Sequence, residues 1–222
     1  MADLIITIDG PAASGKSTVA RMLAEKLGAA FLDTGSMYRA VTFAAMQAGI
    51  DMNDENKLLD VLNKKKFQFA IEKDKIIISI DGVDITDQLR RTDVTDSARY
   101  IASSTKMRNR LVDMQRQLAA GEKKIVTEGR DQGTVAFPNA GFKFYLTAEP
   151  AERAKRRAKE QGKQTPAEIE QIQTDIEARD RSDSSRAVGP LKPADDAVTV
   201  DTTDLTIEQV VEKLFSMVEK NG

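Results

Sequence analysis

The spacing of apolar residues predicts alternating strands and helices at the start of the chain. Residues 4–8, with the sequence LIITI, form a nearly continuous apolar run that is typical of a strand buried on both faces. Residues 17–28 repeat apolar side chains at helical spacing and end on a glycine, which is a helix stop signal. Residues 29–33 then predict a second buried strand, and residues 37–49 a second helix. This β-α-β-α order favours a parallel sheet.

Further along the chain, the period changes from helical to alternating. Between residues 64 and 86 apolar and polar side chains alternate, with EKDK at 72–75 and DG at 81–82 as turn candidates. We expect a small antiparallel meander here, inserted into the main body with one face in water. A long helix is predicted from about residue 96 to residue 120. Further strands are predicted at 123–129, 142–147 and 197–200, which gives about five in the main sheet.

The last third of the chain carries two helix start signals. TPAE from Thr165 and TIEQ from Thr206 both match the capping box, in which a threonine precedes a Glu or Gln by three residues. By contrast, residues 149–161 are charged nearly throughout and show no apolar stripe. We therefore expect a helix that stands in solvent as part of a mobile flap, with Gly162 near its tip.

Composition narrows the chemistry available to this fold. The 222 residues include no histidine and no cysteine, which excludes Ser/His and Cys/His catalysis and thiolate or histidine metal sites. A net charge of −2 argues against a nucleic-acid or membrane-surface partner. No apolar run approaches the roughly 20 residues that cross a bilayer, and no leader announces export. We expect a cytoplasmic monomer.

The stretch GPAASGKST carries the first chemical signal. Gly10, Gly15, Lys16 and Ser17 satisfy the spacing G-x-x-x-x-G-K-[ST] between a predicted strand and a predicted helix. Backbone N–H groups of such a loop surround phosphate oxygens, the lysine neutralises the outer phosphates, and the serine hydroxyl is placed to bind Mg²⁺. The alternative is a glycine-rich turn with an exposed lysine, which both flanking elements disfavour.

A phosphate loop does not identify a reaction, because switches, motors and kinases share it. The chain has no N-K-x-D element for guanine selection, and the strand at 123–129 carries Glu128 where an ATPase would have Asp. Several arginines at predicted loop positions could bind phosphate bidentately, although a solvated surface charge is the alternative for any single one. Arg179 and Asp183 equally fit an i, i+4 ion pair. The arginines in question are Arg39, Arg130, Arg179, Arg181 and Arg186.

Four stretches together resemble the bacterial-type cytidylate kinases over nearly the whole chain: DGPAASGKST, LDTGSMYR, EGRDQGTVAFP and RDRSDSSRAVGPL. The resemblance implies an α/β fold of the P-loop NTPase type, with a doubly wound parallel sheet, helices on both faces, a small antiparallel insert and a short helical lid. It implies a core (1–35, 109–150 and 187–222), a monophosphate-binding region (36–108) and a lid (151–186). We expect the lid to become ordered only when both nucleotides are bound.

The activity implied by the resemblance is transfer of the γ-phosphoryl group of ATP, with Mg²⁺, to CMP or dCMP. Two alternatives stay open: a kinase for another monophosphate such as UMP, and a P-loop GTPase-type switch without an acceptor. The chemistry suits a chain without histidine, because a phosphate monoester has a second pKa of roughly 6 and needs no base to become a nucleophile. Alignment and neutralisation of charge remain as the task of the protein.

The resemblance also implies roles for individual residues. Lys16, Arg130, Arg179 and Arg186 would be catalytic. The ATP site would comprise Gly10, Ala13, Ser14, Gly15, Lys16, Ser17, Thr18, Arg156 and Arg157, with Ser17 also on the metal. The acceptor site would comprise Thr34, Arg39, Arg99, Arg108, Arg130, Asp131, Arg179, Asp183 and Arg186.

Within that acceptor site, Arg108 and Asp131 would read the base. A carboxylate accepts a hydrogen bond from the cytosine amine and a guanidinium donates to its unprotonated N3, whereas uracil presents the opposite groups. The alternative is that Asp131 only pairs with Arg130. Three positions depart from the family pattern: Thr34 stands where serine is common, Glu128 replaces the first Asp of D-G-R-D, and no serine aligns cleanly near Arg99, so that Ser97, Arg99 or neither takes that part.

Overall fold

The first elements of the computed structural model, which describes residues 2–72 and 75–221, confirm the β-α-β-α start. Strand β1 spans Leu4–Asp9, helix α1 Lys16–Leu27, strand β2 Ala30–Asp33 and helix α2 Thr34–Gln47. Helix α2 begins three residues earlier than predicted. The reason is a cap, because the Asp33 carboxylate accepts a hydrogen bond from the Ser36 N–H at 3.0 Å.

The middle of the chain contains the predicted meander and one helix that the apolar pattern did not predict. Helix α3 spans Glu55–Lys64, and strands β3 (Phe67–Glu72), β4 (Lys75–Ile80) and β5 (Val83–Asp84) form a separate antiparallel sheet. The DG turn is confirmed: Asp81 and Gly82 have φ angles of 53° and 84°, the left-handed pair that a tight hairpin requires. The EKDK turn includes residues 73 and 74, which lie outside the described residues.

The single long helix predicted near residues 96–120 is wrong, because two helices occupy this stretch. After a 3₁₀ turn at Thr86–Arg90, helix α4 spans Thr92–Ser103 and helix α5 spans Thr105–Ala120. Ser104 interrupts them with an extended backbone, and its hydroxyl accepts a hydrogen bond from the Met107 N–H at 3.2 Å. Serine is a preferred N-cap, so this side chain ends one helix and starts the next.

Three further strands complete the main sheet: β6 (Lys124–Gly129), β7 (Phe142–Thr147) and β8 (Val198–Asp201). The strand order is β2-β6-β1-β7-β8 with every neighbouring pair parallel, which confirms the five-stranded parallel sheet. The carboxyl ends of all five strands therefore share one edge, where ligands bind in open α/β folds. A π-helical turn, Gln132–Ala136, follows β6 at this edge.

The remaining helices are α6 (Pro150–Glu160), α7 (Pro166–Ser184) and α8 (Ile207–Asn221). Both predicted capping boxes are confirmed, at Thr165 with Glu168 and at Thr206 with Gln209. Helices cover both faces of the sheet, since one apolar cluster joins it to α1 and α8 and another joins it to α2, α3 and α5. Among the described residues, no helix is both long and apolar enough to cross a membrane.

The expectation that residues 149–161 lack an apolar face is wrong. Ala154 and Ala158 of α6 are fully buried, and they pack against Ile172 and Ile176 of α7. Alanine has too little surface to stand out in a charged sequence, although two of them at i and i+4 lie on one face of a helix. The helices α6 and α7 are thus a packed hairpin, with Gly162 in the turn between them at a φ of 67°.

Candidate active site

The loop between β1 and α1 has the backbone shape of an anion cradle. Ala13 and Gly15 have φ angles of 56° and 84°, so left-handed residues flank Ser14 and turn successive N–H groups toward one side. Ala13 adopts this conformation at a cost of about 1 kcal/mol, because its Cβ crowds the following carbonyl. Gly10 is required for a different reason: a Cβ there would lie 2.1 Å from the backbone oxygen of Leu146 in β7.

A buried lysine and two hydrogen-bonded side-chain oxygens lie beside this loop. Lys16 donates to the Pro11 carbonyl at 2.7 Å, and burial, followed by the charge of Arg130, lowers its pKa to about 7. The Ser17 hydroxyl donates to Glu128 Oε1 at 2.9 Å. Burial and then the nearby negative charge of Asp33 raise the pKa of Glu128. A cation bound here would offset the repulsion between these two carboxylates.

These oxygens fit the way proteins bind Mg²⁺. That ion takes oxygen ligands, and it is usually held by one or two carboxylates together with substrate phosphates rather than by a full protein cage. The Ser17 hydroxyl and the Glu128 carboxylate are in contact, and Asp33 is close enough to perturb Glu128. Within residues 2–72 and 75–221 no group of three acidic side chains forms a complete metal site.

Arginines from four separate elements face the same space. Arg130, at the end of β6, donates through Nε to Asp183 Oδ2 at 2.8 Å, and Arg186 bonds to Oδ1 of the same carboxylate. Burial opposes the charge of Asp183, but its two arginine partners outweigh burial and hold its pKa below the usual value. Arg39 of α2 binds Asp33 Oδ2 at 3.0 Å and also the Ser36 hydroxyl. The arginines are thus held by internal carboxylates.

Arg179 joins this group through electrostatics rather than through an ion pair. Its side chain is exposed, yet partial desolvation, followed by the positive charges of Arg130 and others including Arg39, lowers its pKa to about 10. The charge of Arg179 in turn contributes to the lowered pKa of Lys16. The predicted catalytic residues are therefore close enough to perturb one another's pKa: Lys16, Arg130, Arg179 and Arg186.

Arg108 and Asp131 form a buried ion pair near Arg186. Their side chains are 3% and 5% exposed, and the guanidinium also donates to the Ala102 carbonyl at the end of α4 at 3.1 Å. The Arg108 guanidinium lies 5.7 Å from the ring centroid of Tyr38. Asp131 thus pairs with Arg108, not with Arg130 as the alternative interpretation had it. Gly189 packs so closely that a Cβ would lie 2.2 Å from the Asp131 carboxylate.

Other predicted site residues lie on the surrounding elements, each with partners of its own. Thr34 donates through its hydroxyl to the Glu128 carbonyl at 2.8 Å, and Thr18 is exposed at the start of α1. Arg156 donates to the Thr202 carbonyl at 2.6 Å, next to the end of β8. Arg157 pairs with Glu160 of its own helix at 3.0 Å, and its charge reaches Arg179.

Arg99 does not contact the Arg108–Asp131 ion pair in any described hydrogen bond. It is an exposed residue of α4 whose described contacts are with Tyr100, at 3.4 Å between Nη2 and the phenol oxygen and across the ring. The buried side of α4 is formed by Val94, Ala98 and Ile101. Ser97 is only half-buried, and no described hydrogen bond joins it to Arg108 or Asp131. A role for Arg99 in base contact has no support from this placement.

The residues that hold the turn after β6 were missed by sequence reasoning. Asp9, the last residue of β1, accepts hydrogen bonds from the N–H groups of Gln132 and Gly133 at 2.9 and 2.7 Å. Burial raises the pKa of Asp9 to about 7. The Gln132 side chain accepts from the Thr127 hydroxyl at 2.9 Å. These bonds fix the turn that presents Arg130 and Asp131; the one available signal was an acidic residue between a buried strand and Gly10.

Comparison with known proteins matches this chain to one family over nearly its whole length. A family model described as cytidylate kinase matches residues 6–220. The cytidylate kinase of Shouchella clausii is 43% identical, over 98% of this chain and 96% of its own length. That of Bacillus subtilis is 42% identical, over 99% of this chain and 98% of its own. The crystal structure of an uncharacterized protein from Eubacterium ventriosum matches with a TM-score of 0.54 at 14% identity, covering 98% of this chain and 99% of that one, which supports the fold alone.

Proposed function

The chain belongs to the cytidylate kinase family, and from this membership we propose that it transfers the γ-phosphoryl group of ATP to CMP or dCMP. The products are ADP and CDP or dCDP. The observation that carries the proposal is the family match over residues 6–220 combined with the clustering of Lys16 and several arginines, whose charges perturb one another's pKa. Division of the chain into core (1–35, 109–150, 187–222), monophosphate-binding region (36–108) and lid (151–186) is part of the same proposal.

In this proposal the phosphate loop holds ATP and the arginines hold the acceptor. An oxygen of the acceptor phosphate attacks the γ-phosphorus, the new P–O bond forms, and ADP leaves with the electron pair of the bond that breaks. Lys16 neutralises charge on the outer phosphates of ATP. Arg39, Arg130 and Arg186 bind the acceptor phosphate, and Arg130 and Arg186 exchange the Asp183 carboxylate for that phosphate. No protein base is needed, because the acceptor oxygen is already anionic.

The Arg108–Asp131 pair is proposed to select the base. In the free protein the two groups satisfy each other, so an incoming base must replace both partners at once. Cytosine offers the Asp131 carboxylate an amine donor and offers Arg108 an acceptor. Uracil offers the reverse and would leave two buried polar groups without partners, which is the situation that produces strong rejection.

Mg²⁺ is the proposed cofactor, held by the Ser17 hydroxyl and the Glu128 carboxylate together with ATP phosphate oxygens. When bound, it supplies positive charge to the phosphates that carry the transferred group. Glu128 reaches Ser17 directly, so the longer side chain retains an acidic oxygen at this place where the family usually has Asp. A monomeric state and a cytoplasmic location stay predictions from the sequence.

A coupled assay that measures ADP release tests the proposal. The assay uses ATP, Mg²⁺ and one of CMP, dCMP, UMP, AMP or GMP at a time. CMP or dCMP is expected to give the highest kcat/KM. Preference for UMP would support the alternative monophosphate kinase, and slow hydrolysis that no monophosphate stimulates would support a nucleotide switch.

A further inference from the structure

Ala12, a residue of the phosphate loop, is hydrogen-bonded to both helices of the α6–α7 hairpin. The N–H of Ala12 donates to Asp180 Oδ1 of α7 at 2.9 Å, and the carbonyl of the same residue accepts from Arg153 Nη1 of α6 at 3.0 Å. Arg153 also pairs with the second oxygen of Asp180 and donates through Nε to the Ala148 carbonyl at 3.1 Å. Both polar backbone groups of Ala12 are thus bound by one ion pair.

This ion pair sits beside an apolar contact between the same elements. The Ala12 methyl group belongs to the small cluster formed by Ala154, Ala158, Ile172 and Ile176. Arg153 is 6% exposed although it carries a charge on a helix at the surface. Burial of an arginine is costly unless it is paired and hydrogen-bonded, and here three acceptor contacts meet that requirement. The hairpin is therefore docked on the loop by charge and by packing together.

The contact leaves the proposed ATP cradle free and fixes the residue next to it. Ala12 precedes residues 13–18, whose N–H groups are assigned to ATP phosphates. On α7, Asp180 directly follows Arg179, and Asp183, four residues beyond Arg179 on the same helical face, is anchored to Arg130 at 2.8 Å. Arg179 therefore directly precedes one anchored residue, Asp180, and shares a helical face with a second, Asp183.

We propose that Arg153 and Asp180 are positioning residues that fix α7 to the phosphate loop and thereby hold Arg179 beside Lys16 when the phosphates are bound. The proposal rests on the proposed phosphotransfer for its kinetic consequence, but the docking itself does not depend on the identity of the acceptor. If the ion pair only stabilised the helical hairpin, its loss would lower the melting temperature and leave the catalytic effect of Arg179 intact.

The test is a double-mutant cycle that combines Asp180→Asn with Arg179→Met. Asp180→Asn keeps the shape and one acceptor for the Ala12 N–H but removes the charge that binds Arg153. We expect kcat to fall at least tenfold, with KM for CMP changed less than threefold. In an Arg179→Met background, the same substitution should change kcat less than twofold, because Asp180 acts through Arg179.

Control variants distinguish a loss of the position of Arg179 from a nonspecific effect of altering the hairpin. Glu177→Gln alters another ion pair of α7, with Arg181 at 3.9 Å, and should leave kcat within twofold. Arg153→Lys keeps a charge but cannot reach all of its acceptors, so it should reproduce the Asp180→Asn loss. An equal loss of kcat with and without Arg179, or an unchanged kcat in Asp180→Asn, would overturn the proposal.

Hydrogen exchange in the presence of a non-hydrolysable ATP analogue gives a readout that does not need an acceptor. Backbone amides of residues 151–160 should exchange at least fivefold faster in Asp180→Asn than in the unmodified protein. Equal exchange would count against the docking role even if the protein proved inactive toward every monophosphate. A wild-type protein without activity would refute the proposed function only.

Discussion

Replacement of Asp131 by Asn removes the negative charge from the buried Arg108–Asp131 pair and should weaken both folding and base selection. The two side chains are 3% and 5% exposed, so the remaining guanidinium cannot recover its hydration. Removal of one partner of a buried pair costs about 3–5 kcal/mol, and the lower end applies because Asn still offers an oxygen. For a chain of this length, about 3 kcal/mol corresponds to a melting temperature lower by roughly 6–12 °C.

The effect on selectivity follows from the bond to the cytosine amine. A hydrogen bond to a charged group contributes about 1.5–3 kcal/mol, which is about a 10- to 150-fold change in an equilibrium or rate ratio. We therefore expect Asp131→Asn to narrow the ratio of kcat/KM for CMP to that for UMP by about this factor. The loss should come mainly from CMP, because the carboxylate no longer accepts from the amine.

The assay compares kcat/KM for CMP and UMP at a temperature well below the melting point of the variant. Asp113→Asn is the matched control, since Asp113 is exposed and lies 3.9 Å from Arg116, and it should change neither the ratio nor the melting temperature appreciably. A folded Asp131→Asn enzyme that retained the original ratio would refute base selection by this carboxylate.

Other perturbations have equally definite outcomes. Lys16→Ala should lower kcat about 100-fold or more in the coupled assay, because it removes the positive charge that neutralises the outer phosphates of ATP. An unaltered kcat would contradict that role. Gly10→Ala should prevent stable folding, as judged by circular dichroism, because the new Cβ would meet the Leu146 carbonyl oxygen at 2.1 Å. The pKa of Asp183 is held below 3.8, so its pairing contributes fully to stability above about pH 4 and progressively less as the pH falls below that; the melting-temperature difference between the unmodified protein and Asp183→Asn should shrink steadily on acidification. Hydrogen exchange across residues 153–163 should slow when an ATP analogue and CMP are added together, and unchanged exchange would contradict closure of the lid.

Local signals in the sequence predicted the elements whose ends are determined locally. Thr165 with Glu168 and Thr206 with Gln209 start helices because each pair satisfies its own backbone N–H groups, without help from distant parts of the chain. The start of α3 had a similar signal in Asp54, whose carboxylate accepts from the Lys57 N–H at 3.0 Å, and this signal was overlooked.

Signals that depend on packing were harder to interpret. Ser104 lies in a stretch whose apolar spacing continues through it, so the pattern predicted one helix where its cap divides two. Ala154 and Ala158 form an apolar face only because α7 supplies two isoleucines to cover them. Hydropathy along one segment contains no information about its partner.

In the candidate site, too, contiguous motifs could be predicted from the sequence and contacts between distant residues could not. The phosphate loop is contiguous and could be identified from its glycines, lysine and serine. The Arg108–Asp131 pair spans 23 residues, and the contact between Asp180 and Ala12 spans 168. The first was expected only from resemblance to a family, and the second depends on how α7 crosses the loop, which neither spacing nor composition specifies.

The arginines held by Asp33 and Asp183 account for an otherwise puzzling property of the whole chain, its slight excess of acid in a protein proposed to bind two polyanions. Each internal carboxylate acts as a counterion for the guanidinium groups that it binds, which offsets part of their mutual repulsion before a nucleotide arrives. Arrival of a nucleotide then exchanges one anion for another, and the protein needs no surplus of basic surface to retain its substrates.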